Sequence, residues 1–532
     1  MPPLPDHNSA DDRALLEALH REGAGWAEAE LRQVGEFAGS REAREWGRLA
    51  NEHLPVLHTH DRYGHRVDEV EFHPSWHQLM TASVTFGLTG SAWQEPRPGA
   101  HVARTAKQYL MSQVEAGHTC PIDMGYSVVP SLRSAPELAR QYEPLLSARQ
   151  YDFGLRPPLG KAGLLAGMSM TEKQGGSDIR ANTSRAVPAG DGAYRLTGHK
   201  WFTSAPMCDV FLVVAQAPQG PTCFFLPRVL PDGSLNGMRI QRLKNKLGNR
   251  SNASSEIEYD DALVWPVGEE GRGVPTIIAM VNATRLCAIN SSAGLMRAGL
   301  VNALHHAQHR RVFGKLLVNQ PMMRNVLADL VLESEAAVAV TMRLAAATDR
   351  AERGDTFEAA LRRIGVAVTK YHICKRASTH LAEAMECLGG NGYVEDSGMP
   401  RLYREAPLNS IWEGSGNVAA LDVLRAISRE PSTIEAFKAE IDAARGGNRH
   451  LDEASKRIQE ELSDATWLEV RARRIAELMA TALQASLLVR HGRAAVADAF
   501  CATRLGGDWG QTLGTLPPEA NLKAIVEGAC TI

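Results

Sequence analysis

Residues 388–417 read Leu388-Gly-Gly-Asn-Gly-Tyr-Val-Glu-Asp-Ser-Gly-Met-Pro-Arg-Leu-Tyr-Arg-Glu405 and, closely after, Asn409-Ser-Ile-Trp-Glu-Gly-Ser-Gly-Asn417. Starting in the second piece, Gly414-Ser-Gly416-Asn-Val-Ala419 matches a G-x-G-x-x-A dinucleotide pattern. That pattern needs a strand before it and a βαβ unit around it. Here it follows Trp412-Glu413 in a helical region, which sets aside a doubly wound sheet. The better reading is a helix start at Gly416-Asn417, whose N–H groups could meet an anionic or carbonyl-rich ligand.

Working outward, the runs from Arg285 to about 311, Pro321 to about 353 and Phe357 to about 388 carry apolar residues at three- and four-residue spacing. Gly354-Asp and Gly389-Gly-Asn-Gly392 break them, as expected of antiparallel helices in a bundle. Upstream, Tyr194-Arg-Leu-Thr, Val210-Phe-Leu-Val-Val-Ala-Gln, Thr222-Cys-Phe-Phe-Leu and Ser255-Glu-Ile-Glu-Tyr are strand-like, separated by turn clusters such as Pro188-Ala-Gly-Asp-Gly192. Before them, Arg13 to Gly23 has helical spacing with a glycine stop, and Asp61 to Phe72 reads as a short ribbon. The expected class is α+β, mainly α. An N-terminal helical domain with a β-ribbon (1–163) precedes a central β domain (164–275) and a helical bundle (276–430). After the boundary Arg429-Glu-Pro-Ser432, residues 431–532 add two or three helices and a looser tail.

The 532 residues hold 58 Lys and Arg against 61 Asp and Glu, a net charge of −3, so no global field draws the chain to nucleic acid or membrane. No apolar run is long enough to span a bilayer and the N-terminus resembles no leader, which points to the cytoplasm. Cysteines 120, 208, 223, 287, 374, 387, 501 and 530 form no CxxC pair and read as reduced thiols. The histidines at 58, 60, 65, 73 and 77 lack ligand spacing on one helix face, so no metal site is expected. No G-x-S-x-G elbow supports hydrolysis.

Two segments carry a resemblance. Met170-Thr171-Glu172, two residues, then Gly175-Gly176-Ser177-Asp178 is one; Glu386, Gly389-Gly390, Gly392-Tyr393, Asp396, Arg401 and Glu405 form the other. With Arg310-Arg-Val-Phe313-Gly314, they are similar to signatures of the acyl-CoA dehydrogenase family, in the expected order across about 165–430. Ser169 replaces the family's usual Gly, Ala or Cys, and Glu386 stands at a common Gln position. The resemblance implies a helical domain, a β-barrel and a helical bundle, with FAD bound between barrel and bundle. It places Met168, Met170, Thr171, Gly176 and Ser177 along the flavin, and Trp201, Phe202, Thr203 and Ser204 on its other side. Ile411, Trp412, Gly414, Ser415, Gly416 and Asn417 lie near the flavin or its ribityl chain. Arg310, Phe313, Glu386 and Gly390 would touch a neighbouring subunit's FAD, so a homotetramer is expected.

Glu413 occupies the family's base position. A base taking a proton from the carbon beside a thioester must be poised near working pH, and an apolar shelf of Ile411 and Trp412 would raise its pKa. Otherwise Glu413 is a helix-cap carboxylate. Arg285 matches an arginine facing the active site; alternatively it forms an ion pair at a helix start. The ribbon Asp61, Gly64, Arg66, Asp68, Phe72-His-Pro-x-Trp76-His77, the run Lys244-Asn-Lys-Leu-Gly-Asn-Arg-Ser-Asn252 and about 100 extra C-terminal residues resemble the branch tied to the DNA-alkylation response. That implies weak dehydrogenation of an acyl-CoA and double-stranded DNA as a partner. The alternatives are an ordinary metabolic acyl-CoA dehydrogenase and a non-enzymatic DNA-binding flavoprotein. From Pro431 to Ile532 there are twelve Lys and Arg against fourteen Asp and Glu, a near-neutral balance. Within it Arg471, Arg473, Arg474, Arg490 and Arg493 could gather on a DNA-facing stripe.

Overall fold

A computed structural model describes residues 2–529 of the chain. They fall into two compact units, neither continuous in sequence: residues 42–97 with 115–284, and residues 2–41 and 98–114 with 285–529.

The first unit holds the strands. The ribbon is an antiparallel pair, β1 (Val56–His60) and β2 (Arg66–Glu71). The barrel strands are β3 (Ala166–Ser169), β4 (Arg185–Gly190), β5 (Ala193–Ser204), β6 (Val210–Ala217), β7 (Gly220–Pro227), β8 (Met238–Leu243) and β9 (Ser254–Pro266). The unbroken apolar run of β6 is buried on both faces, as a strand with neighbours on either edge requires. It pairs parallel to β3 and antiparallel to β7. Because β3 also pairs with β5, β5 with β9, and β9 with β7, the sheet closes into a ring. Register shifts in β5 at Leu196/Gly198 and Lys200/Thr203 let this long strand bend around it. Gly198 (φ 146°) is required at the first bend, since a Cβ there would stand 2.4 Å from Ser184 Oγ.

Glu115 and His118 are fully buried in this unit. Glu115 accepts from His118 Nδ1 at 3.0 Å, Ser251 Oγ at 2.8 Å and Asn51 Nδ2 at 2.9 Å, while His118 Nε2 lies 3.0 Å from Ser83 Oγ. Burial pushes the Glu115 carboxyl up, but these partners dominate and hold it near about 2. The node ties the loop carrying Ser251 to the helix Pro74–Thr85.

The second unit is built on the helix Gly273–His309 from Arg285 onward and on the helices Pro321–Glu352 and Thr356–Glu386. The Gly299 position abuts Leu381, and Cys374 Sγ meets Ala288 O, so the first and third run parallel and end on the same side. The middle helix runs opposite: Arg376 pairs with Glu333 at 2.9 Å and His380 with Leu330 O at 3.1 Å. Residues 431–529 hold more helix than expected: Ser432–Asp442, Arg449–Ser463, Leu468–His491, Ala494–Phe500 and Leu522–Ala529. Nor is the stretch between the last two loose. Trp509 Nε1 and Gly514 N donate to buried Asp329 at 3.1 and 2.8 Å, and the Arg504 guanidinium lies 4.2 Å from the Trp509 ring. Sequence periodicity sees helices but not such anchors.

Seven of the eight cysteines are free and buried; Cys530 lies outside the described residues. Among the described residues no helix is long and apolar enough to cross a membrane, and no group of three or more His, Cys, Asp or Glu side chains is placed to hold a metal ion.

Candidate active site

The site residues fall into two groups, one in each unit. In the barrel, Ser169 of β3 faces Thr203 of β5 in register, with the hydroxyls 2.5 Å apart. Both are fully buried, so the unusual Ser169 engages the Thr203 hydroxyl that the resemblance assigns to the flavin. Alternation along β3 leaves Met168 and Met170 half-buried, with Trp201 and Ser204 likewise on β5 and Phe202 half-exposed. The segment after β3 turns back through exposed Gly175, Gly176 and Ser177. Gly176 must stay bare because a Cβ would stand 2.5 Å from Thr171 Oγ1.

That segment is anchored by Glu172, which is fully buried with Lys200. Lys200 Nζ donates to Glu172 at 2.9 Å, Val214 O at 2.7 Å and Met170 O at 3.2 Å. Glu172 also accepts from Thr183 N at 2.6 Å and Ser184 N at 3.1 Å. Burial pushes the Glu172 carboxyl up, yet bonds from Gln174, Thr183 and Lys200 hold it well below the usual range; burial lowers Lys200 to about 8. The product is a rigid edge of hydroxyls (Thr171, Ser177, Ser204), a bare peptide and a half-buried indole. These groups fit a flat, hydrogen-bonding ring such as a flavin.

The second group is the turn Ile411–Ser415 between the helices Met399–Asn409 and Gly416–Arg429. The helix start at Gly416 is as read from the sequence, with Ser415 at its N-cap and Asn417 exposed in its first turn. Glu413 precedes the cap, so it is not the capping carboxylate. Its backbone is left-handed (φ 58°), followed by Gly414 (φ 97°). A non-glycine residue there is strained and persists only where its surroundings impose it. The carbonyls around it supply the reason. Lys370 Nζ donates to Trp412 O at 2.8 Å and also to Gly414 O. Arg285 Nε donates to Glu413 O at 2.9 Å.

Arg285 lies inside the helix Gly273–His309, not at a helix start, and is ion-paired to Asp422 at 2.7 Å. Arg363 holds the other Asp422 oxygen at 2.9 Å. Burial would raise the Asp422 carboxyl, and the two guanidiniums hold it below its usual range. Half-buried Trp412 donates its indole N–H to Asn409 at 3.0 Å, whereas Ile411 is 62 % exposed, so the apolar shelf is partial. Lys370, 1 % exposed, was missed by the motif reading. Its signal was a lysine inside the apolar run Gly365-Val-Ala-Val-Thr-Lys-Tyr-His-Ile-Cys374, since lysine is seldom buried without a task.

Arg310 lies just before a two-residue hairpin, where Phe313 (φ 51°) and Gly314 (φ 78°) make the turn. Phe313 is 94 % exposed. Glu386, the last residue of the helix Thr356–Glu386, and Gly390, just past it, are both exposed. The arginine stripe does not form as free charge. Arg471 and Arg474 share Glu461 at 2.5 and 3.2 Å, Arg490 pairs with Glu440 and Arg493 with Glu335, each at 2.5 Å. Arg473 donates to Tyr371 Oη at 3.2 Å. Folding brings the acids that balance the net charge against these arginines.

Residues 1–153 match the family described as the adaptive response protein AidB N-terminal domain, 167–262 the acyl-CoA dehydrogenase middle domain and 271–428 its C-terminal domain. The chain is 48 % identical to AidB of Escherichia coli over 467 residues, 86 % of each chain. It is 31 % identical to acyl-CoA dehydrogenase family member 11 of Caenorhabditis elegans, over 85 % of this chain and 75 % of that one. Among solved structures, Caenorhabditis elegans ACDH-11 in complex with C11-CoA superposes with a TM-score of 0.86 at 28 % identity, covering 99 % of this chain and 92 % of that one. The chain therefore belongs to the acyl-CoA dehydrogenase family, in the branch that carries the AidB N-terminal domain, and its cofactor is FAD.

Proposed function

We propose that the protein desaturates an acyl thioester, with Glu413 as the base that takes the proton from the carbon next to the thioester carbonyl. FAD supplies the acceptor for the hydride leaving the neighbouring carbon. The chain's own part is to hold the cofactor and the proton acceptor. Met168, Met170, Thr171, Gly176, Ser177, Trp201, Phe202, Thr203 and Ser204 are the proposed cofactor residues of the barrel unit, and Ile411, Trp412, Gly414, Ser415, Gly416 and Asn417 those of the bundle unit. The observation that carries this reading is the strained Glu413 backbone, imposed by cations bonded to three successive carbonyls. A base gains from such fixing because proton transfer demands hydrogen-bond reach. The complex of ACDH-11 with C11-CoA supports a thioester ligand.

Arg310, Phe313, Glu386 and Gly390 are read as the contact with a second copy in a homotetramer, since a nearly bare phenylalanine at a hairpin tip calls for a cover. Duplex DNA is not favoured as a partner, because the arginines meant for phosphate are paired internally. Anaerobic addition of acyl-CoA thioesters of graded chain length to the purified flavoprotein tests the main reading. Bleaching of the visible flavin band supports it, and an unchanged spectrum with every chain length overturns it.

A further inference from the structure

We propose that Lys370 is the positioning residue for the carboxylate base: its buried ammonium clamps the carbonyls on both sides of Glu413 and so fixes the turn that aims the side chain. This rests on the reading of Glu413 as base.

The helix Thr356–Glu386 brings the Lys370 stem up through a packed apolar interior, with Val366, Ala367 and Ile373 at 4 % exposure or less. Burying an ammonium is costly unless its donors are used, and two of them end on Trp412 O and Gly414 O. Among the described residues no carboxylate lies within ion-pair distance of Lys370, so the carbonyls are its ligands. Arg285 closes the set on the middle carbonyl and is itself braced by Asp422 and Arg363. Peptides held on both sides leave Glu413 one backbone conformation, and Gly414 absorbs the remaining left-handed bend. A carboxylate on a free turn would sample many directions, and a misplacement of about 1 Å costs a rate roughly 10²-fold.

Lys370→Met keeps the length of the stem and removes the ammonium; Lys370→Arg restores a forked donor. In Lys370→Met the limiting rate of flavin reduction by acyl-CoA should fall roughly 10²-fold, while the Kd for a non-reducing thioester analogue stays within about twofold. Lys370→Arg should recover part of the rate. Amide hydrogen exchange across 409–417 is the second readout, and Lys370→Met should speed it roughly 10–100-fold, with the barrel peptides unchanged. A Lys370→Met protein with wild-type limiting rate and wild-type exchange overturns the positioning role. If no acyl-CoA reduces the wild type, the dehydrogenase reading falls instead, and the exchange comparison alone decides whether Lys370 sets the turn.

Discussion

Lys200 and Lys370 are both buried and both hold backbone carbonyls, but they do so under different electrostatic conditions. Lys200 binds Met170 O and Val214 O with Glu172 as a counter-ion, both side chains of the pair being sealed from solvent. Lys370 binds Trp412 O and Gly414 O with no carboxylate in ion-pair reach among the described residues. The first arrangement is locally neutral and fixes a segment through the stability of the pair. The second leaves a positive charge beneath the turn that carries Glu413, and burial lowers the Lys370 pKa below the ordinary lysine value. One device thus serves a permanent anchor in the barrel and a charge-bearing clamp at the proposed base.

The sharpest break between the two is Glu413→Gln. The amide keeps the shape but accepts no proton, so anaerobic flavin reduction by acyl-CoA should fall about 10²–10⁴-fold with FAD still bound. Stopped-flow absorbance reads the rate. An equal rate in both proteins moves the base elsewhere.

Lys200→Met should weaken folding by about 3–5 kcal/mol, because it strands a fully buried carboxylate. Urea titration of the intact chain measures this, with early release of flavin as the companion signal. The matching Lys370→Met change strands only carbonyls and should cost about 1–3 kcal/mol. Equal losses for the two would erase the distinction drawn between them.

Acid should weaken the barrel anchor. The Glu172 carboxyl lies below its usual range and Glu115 lies near about 2 against 4.5 for an unstructured glutamate. Both folded values are depressed, so their stabilisation is fully present above about pH 4.5 and is lost as pH falls toward the folded values. Thermal melts should therefore drop steeply below about pH 4.5, and Glu172→Gln should make that drop shallower. A pH-independent melt between pH 5 and 3 would contradict the assignment.

The smallest effect is expected far from both lysines. Arg471, Arg473 and Arg474 changed together to Ala should leave the salt dependence of duplex binding nearly unaltered, because Arg471 and Arg474 are ion-paired to Glu461 and Arg473 is bonded to Tyr371. A drop in salt slope of about one unit per arginine would show that they reach phosphate after all.

The sequence by itself determined the class of the molecule and pointed to Glu413 as the proposed base. Helical spacing from Pro321 to Leu388 and the apolar run at Val210–Gln216 are local signals, because periodicity reports which face of an element is buried. Glu413 and the Gly175-Gly176-Ser177 segment were legible for a related reason: glycines and a carboxylate in fixed order constrain the backbone over a few residues. Tertiary structure alone decided which charges meet. Lys370 and Trp412, Arg285 and Asp422, Lys200 and Glu172, and Arg493 and Glu335 are far apart in the chain, and no local pattern encodes their pairing. The arginine stripe is the clearest case. Counting charges gave a near-neutral region, but only the packing of Leu468–His491 against Ser432–Asp442 could show that Arg490 faces Glu440 rather than solvent. A buried or paired charge takes its properties from its neighbours in space, and those neighbours are chosen by the fold.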